Sequence, residues 1–247
     1  MALSLRRFTA RVGFMRVSPI GGIDFERDKK SFLGVRNWEA HKMIRFLFGY
    51  ERQEQPQLFE EMFRQRKQVF IDEKKWDLKP TDGEFEIDEF DRDDTVYLCS
   101  LLPNGDLAGS IRFLNTATEH MAGTVFKDMF PGLVVRSPTI WEATRFTVPE
   151  DRRLQANGVS VACCEIIAGM CTFGLEYGVS QMTAIYEAPL TRIFRKCGLT
   201  HIVLGRHRSK EHGALHYGLC DVSRELEASI RRATRLAPVE LVAEAAE

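Results

Sequence analysis

The chain has 247 residues, 44% of them hydrophobic, which suits one catalytic domain of ordinary size with terminal extensions. Its 34 basic and 35 acidic residues nearly cancel, which excludes the global positive field that would hold a nucleic-acid backbone or an anionic membrane. No apolar run approaches the ~18 residues of a membrane span, no secretory signal opens the chain, and the six cysteines form no CxxC pair, so the expectation is a cytoplasmic protein with reduced thiols, no membrane span, no nucleic-acid partner and no metal.

Residues 1–42 begin with a basic, acid-free stretch in which Arg6, Arg7, Arg11 and Arg16 precede Asp24, and they read as a flexible N-terminal extension. The catalytic domain is expected over 43–222, followed by a C-terminal helix and tail over 223–247. "MIRFLFGY", from Met43, predicts the first strand. A helix follows over about Gln55 to Phe70, with Phe59, Met62, Phe63 and Phe70 at helical spacing. Residues 71–94 read as an acid-rich loop. Strands at Val96 to Leu102 and Leu107 to Leu114 flank "PNGD", whose Asn104-Gly105 pair is a hairpin signal. Next come a strand at Thr139 to Val148 and a helix at Ser160 to Tyr177, ended by Gly178. A strand at Gln181 to Tyr186, a helix at Pro189 to Lys196 and a strand at His201 to Leu204 complete the pattern. This order predicts an α+β, three-layer αβα domain: a mixed, largely antiparallel sheet with helices packed on it.

Charges stand in unusual places along this frame. Positions 59, 63, 66 and 70 share one helical face, so Arg66 lies inside an aromatic stripe and needs a carboxylate partner unless it snorkels outward. "EFEIDEFDRDD", Glu84 to Asp94, holds seven acids and one base. Such a run is ordinarily a solvated loop, yet Asp88, Phe90 and Asp91 follow Trp76 and together offer anionic and aromatic groups to a cation. In "IWEATRF" a regular strand would put Glu142 and Arg145 on opposite faces, whereas a bulge would bring both to one cleft. His212, His216 and Cys220 recur at four-residue steps, a metal-binding spacing on a helix, but "ALHYGLCDV" is strand-like and no metal site is expected. The cluster Arg192, Arg195, Lys196, Arg206, His207, Arg208 and Lys210 is either solvated surface or a dock for an acidic carrier protein.

The order Arg66, Phe70, Trp76, Asp88, Asp91, Arg112, Glu142 and Arg145, at these spacings, resembles the signature of the LuxI-type acyl-homoserine-lactone synthases, and all eight signature positions carry the family residue. The resemblance covers about Met43 to Gly205. It implies a fold similar to the N-acetyltransferases, with a V-shaped opening in the sheet for an acyl-phosphopantetheine thioester. The implied partners are S-adenosylmethionine, as co-substrate rather than a tightly bound cofactor, and an acyl donor carried on acyl carrier protein or coenzyme A. Glu142 is then the candidate base. Arg66, Asp88, Asp91, Arg112 and Arg145 form the polar network of the S-adenosylmethionine site, enclosed by Phe70 and Trp76. Phe146, Met170, Thr183 and Ile185 are candidates for the acyl pocket, where a family threonine near Thr183 goes with an oxidised third carbon. An N-acyltransferase with another amine acceptor, or a non-catalytic signal-binding homologue, are the alternatives. The first is disfavoured by the missing Gly-rich pyrophosphate loop, the second by the intact charged signature.

Overall fold

The computed structural model describes residues 35–37, 42–150, 155–156, 158–210 and 213–236. Strand β2 (Lys42–Phe48) divides its apolar residues between two faces. Ile44, Phe46 and Phe48 join one core cluster and Leu47 joins another, because successive strand side chains point to opposite sides. The same division runs through β3 (Val96–Leu101), all six of whose residues are buried. Tyr97, Cys99 and Leu101 pack with Phe59, Met62 and Phe63 of helix α1 (Pro56–Arg66), while Val96 and Leu98 pack on the other side against α2 (Val161–Glu176). A sheet covered on both faces is the three-layer arrangement that the pattern predicted.

The strands are β1 (Val35–Asn37), β2, β3, β4 (Leu107–Asn115), β5 (Ile140–Thr147), β8 (Gln181–Glu187), β9 (Ile202–Ser209) and β10 (Gly213–Asp221), with a small separate ribbon, β6 (Gln155–Ala156) and β7 (Val159–Ser160). Sheet order is β1-β2-β3-β4-β5-β8-β10-β9, antiparallel except where β5 meets β8. Strand β1 lies within the segment expected to be an extension, and its pairing with β2 starts the sheet before Met43. Helix α2 is apolar nearly all round and lies close on the sheet: a Cβ at Gly169 would sit 2.4 Å from Leu98 Cδ1. Helices α3 (Leu190–Lys196) and α4 (Arg224–Thr234) complete the layers, α4 starting at Ser223, whose hydroxyl accepts from the Leu226 amide. The strand expected at His201 to Leu204 continues to Ser209, and "ALHYGLCDV" is the edge-neighbouring strand β10, with His212 outside the described residues. Among the described residues no helix is long and apolar enough to cross a membrane.

Candidate active site

Helix α1 does not end at Arg66 but widens into π-helical turns over Lys67–Glu73, so the regular spacing assumed through Phe70 holds only for its first part. The widening leaves Arg66 and Phe70 both buried towards the sheet. Arg66, 1% exposed, grips Asp91 with both terminal nitrogens (2.7 and 2.9 Å) and donates from Nε to Glu86 (2.6 Å). Arg112, on β4, donates to Asp88 (2.5 and 3.0 Å) and Asp91 (2.9 Å), and its Nε reaches the Thr144 hydroxyl (3.0 Å). Arg145 closes the set through Glu86 (2.8 Å) and Asp88 (2.7 Å). Three guanidiniums thus alternate with three carboxylates, each acid bridging two arginines, and the Tyr97 hydroxyl donates to Asp91 (2.8 Å). Bidentate, charge-assisted bonds of this kind are what make such burial tolerable.

The charges respond as that geometry requires. Burial alone would raise the Asp91 carboxyl, but Arg66 and Arg112 outweigh it and hold the group well below the usual carboxylate range. Burial would likewise strip Arg66 of its proton, and Asp91 with Glu86 outweighs it in turn, so Arg66 is held charged. Arg145 differs, since burial lowers it despite Glu86 and Asp88. It is the arginine of this set that lines the cavity described below.

Arg145 reaches the network because β5 is bulged. Ser110 pairs with Thr147 and Arg112 with Thr144, so Arg145 and Phe146 together oppose Ile111 alone. Arg145 takes a left-handed backbone conformation (φ 52°), unusual for a side chain of this size and held here by its two acids. Of the two readings of "IWEATRF", the bulge is the one realised. Beyond Glu142 the sheet also opens: β5 pairs with β8 only over Ile140–Glu142 and Gln181–Thr183, after which β5 stays with β4 and β8 with β10.

Glu142 stands where the opening begins, with no exposed surface. Its two carboxylate oxygens accept from the backbone amides of Met121 (2.7 Å) and Ala122 (2.8 Å). Burial pushes this carboxyl up to about 7, against the lowering pull of those amides and of Arg112 and Arg145. A group that holds and releases a proton near neutrality is suited to acid-base work. A cleft with about 1100 Å³ of empty space, open to solvent, starts at Glu142 and runs into the splay. Phe70 and Trp76, stacked at 4.8 Å between ring centroids, form one wall, with the Arg145 guanidinium over the Phe70 ring. Phe146, Met170, Thr183 and Ile185 line the other reaches of the same cleft.

The autoinducer synthase family matches the chain over residues 50–230. The chain belongs to that family. An acyl-homoserine-lactone synthase of Rhizobium etli is 33% identical over 196 residues, covering 77% of this chain and 91% of the relative. An isovaleryl-homoserine lactone synthase of Bradyrhizobium diazoefficiens is 29% identical over 188 residues, covering 74% and 81%. Among solved structures, a coenzyme-A-dependent acyl-homoserine lactone synthase crystallised with S-adenosylmethionine and isopentyl-CoA superposes with a TM-score of 0.70, at 26% identity, over 80% of this chain and 92% of that one.

In this autoinducer synthase all eight signature residues gather at or behind one wall of the cleft. Phe70, Trp76, Glu142 and Arg145 face the space, while Arg66, Asp91 and Arg112 are enclosed behind it, bonded to the slightly more exposed Asp88. Asp91 has both oxygens engaged, and Phe90 is buried against Arg112, so the acids and aromatic of the loop serve the protein's own cations. Sequence reasoning missed Glu86, the acid shared by Arg66 and Arg145. It is one of seven acids in its run, and nothing in the run marks it as the buried one. The amides of Met121 and Ala122 could not have been found, since a backbone donor leaves no residue signature. Arg192, Arg195 and Lys196 lie exposed on α3, and Arg206 and Arg208 on β9.

Proposed function

We propose that this protein joins an acyl thioester to S-adenosylmethionine and closes the product to an acyl-homoserine lactone, releasing methylthioadenosine. The observation that carries the reading is Glu142, a buried carboxyl near neutral pKa at the point where an apolar cleft meets the arginine-carboxylate lattice. In the first step the neutral amine of the methionine moiety attacks the thioester carbonyl carbon. A nitrogen–carbon bond forms, the carbon–sulfur bond of the thioester breaks, and the thiolate leaves. Glu142 takes the proton from nitrogen, directly or through one water. Beyond Glu142 the edge of β5 has no β8 partner, and backbone amides on that edge would serve the oxyanion. In the second step a carboxylate oxygen attacks the carbon bonded to the sulfonium, the carbon–sulfur bond breaks, and both charges are cancelled. That step asks mainly for correct folding of the substrate, which the fixed wall of Arg145, Phe70 and Trp76 supplies. The isopentyl-CoA bound in the solved relative supports coenzyme A as one donor form. Incubating the protein with S-adenosylmethionine and a series of acyl thioesters, with mass spectrometry of both products, tests the reading. Equal amounts of acyl-homoserine lactone and methylthioadenosine are expected, and an acylated amine without lactone would sink it.

A further inference from the structure

Two protein cations stand over the aromatic wall of the cleft. The Arg145 guanidinium lies 5.4 Å from the centre of the Phe70 ring, and it is engaged by Glu86 and Asp88 in the buried lattice. The Lys74 ammonium lies 5.8 Å from the centre of the Trp76 ring, and its partner is of another kind. Following directly on the π-helical turns, Lys74 reaches across the cleft to Glu187 at the end of β8, with 2.5 Å between Nζ and Oε2. The two side chains are 32% and 30% exposed, and both line the cleft. An ion pair between two flexible, partly solvated chains contributes little and exchanges readily, unlike the lattice behind it.

A sulfonium has no proton to donate, so it is recognised by charge and by an aromatic face rather than by hydrogen bonds. The acids of the lattice cannot serve it, because Glu86, Asp88 and Asp91 are bound to arginines. Of the two carboxylates that line the cleft, Glu142 accepts from two backbone amides, and Glu187 faces Lys74. Thr183, Ile185 and Glu187 share one face of β8, whose pairing with β10 is regular, and Thr183 is the Cα partner of Glu142. A substrate with its amine at Glu142 therefore extends along that face towards Glu187. We propose that the Lys74 ammonium occupies the place of the sulfonium of S-adenosylmethionine, and that Glu187 exchanges the one cation for the other when this substrate enters. Lys74 is then a built-in competitor. Once the lactone has closed, the sulfur is a neutral thioether with no claim on Glu187, so the return of Lys74 favours release of methylthioadenosine. This inference rests on the reaction proposed above.

The test compares S-adenosylmethionine with S-adenosylhomocysteine, which lacks only the methyl group and the charge on sulfur. Calorimetric titration of the full chain gives the ratio of their dissociation constants in the wild type, in Lys74→Ala and in Glu187→Gln. Preference for the sulfonium should rise about two- to fivefold in Lys74→Ala and fall about two- to fivefold in Glu187→Gln, the range for one partly solvated charge pair. A general disturbance of the pocket would weaken both ligands and leave the ratio in place. Any other pattern, including a ratio left at its wild-type value by either substitution, would overturn the inference, while lactone made by the wild type keeps the reaction standing. A wild type that binds neither ligand and makes no lactone from any donor would instead defeat the reaction, and the inference with it.

Discussion

The β2–β5 side of the opening and the β8–β10 side are built on opposite terms. On the first, Arg66, Arg112 and Arg145 are interlocked with Glu86, Asp88 and Asp91, and the atoms have little freedom to move without orphaning a charge. On the second, the wall is largely apolar, with Met182, Ile185 and Leu219 beside Thr183, and Met170 of α2 adjoins it. A buried ion lattice adds little stability over apolar packing, but it fixes geometry. An apolar wall with methionines adapts to shape and fixes little. Fixed geometry is thus placed where the methionine and nucleotide parts of the substrate, constant from one signal to another, are expected. Adaptable packing lines the part of the cleft proposed for the variable acyl chain.

If that contrast holds, removing a member of the lattice should be the most damaging change. Arg66→Ala should cost about 3–5 kcal/mol of unfolding free energy, because it leaves the buried Glu86 and Asp91 with one arginine each in place of two and removes the bidentate bonds to Asp91. Arg66→Lys should also be poor, since an ammonium cannot make the fork. Urea denaturation measures both, and a cycle with Glu86→Gln should show strong coupling. Additivity would mean that the lattice is not a unit.

Glu142→Gln separates chemistry from scaffold at the meeting point of the two sides. Turnover should fall about 100- to 10,000-fold with little change in S-adenosylmethionine affinity, as calorimetric titration would show. Near-normal turnover excludes Glu142 as the base.

A smaller contrast lies in the pH dependence of stability. The folded Asp91 carboxyl is held below its ordinary value, so its contribution is present above about pH 4 and is lost as pH falls through the depressed folded value. The Glu142 carboxyl is raised from 4.5 to about 7, so its contribution is fully present below about 4.5 and is lost as pH rises to 7. Thermal unfolding across pH should show Asp91→Asn flattening the acid limb and Glu142→Gln flattening the decline towards neutrality, the latter by at most about 3 kcal/mol. Smallest should be Ile185→Val in the adaptable wall, at about 0.5–1.5 kcal/mol, with its main effect on which acyl length is preferred. A larger stability loss than for Arg66→Ala would reverse the comparison.

Much of this was legible from residue order. Strand alternation in "MIRFLFGY" and the Asn104-Gly105 hairpin gave the sheet its first half, because period and turn chemistry are local properties. Arg66 announced a buried partner by standing among phenylalanines. The resemblance named five of the six charges that meet. Glu86 stayed hidden because its role depends on the fold of a loop, and β1 because three residues carry no period. The bulge at Arg145 was visible only as one of two alternatives, since a change of face depends on backbone torsion rather than on composition.

The seam between β5 and β8 is only three residue pairs long. Among the described residues those pairs, with the adjoining bond from the Ser180 amide to the Thr139 carbonyl (2.8 Å), join the two blocks of strands, while α2 lies mainly over β2, β3 and β4. Such a joint should part before either block melts, so its amides should exchange with solvent through a local opening whose free energy is well below that of global unfolding. Deuterium uptake at Ile140–Glu142 and Gln181–Thr183 should outpace that of β3. The slow step of taking in a long acyl chain would then be a breathing motion of the sheet itself rather than the swing of a surface loop.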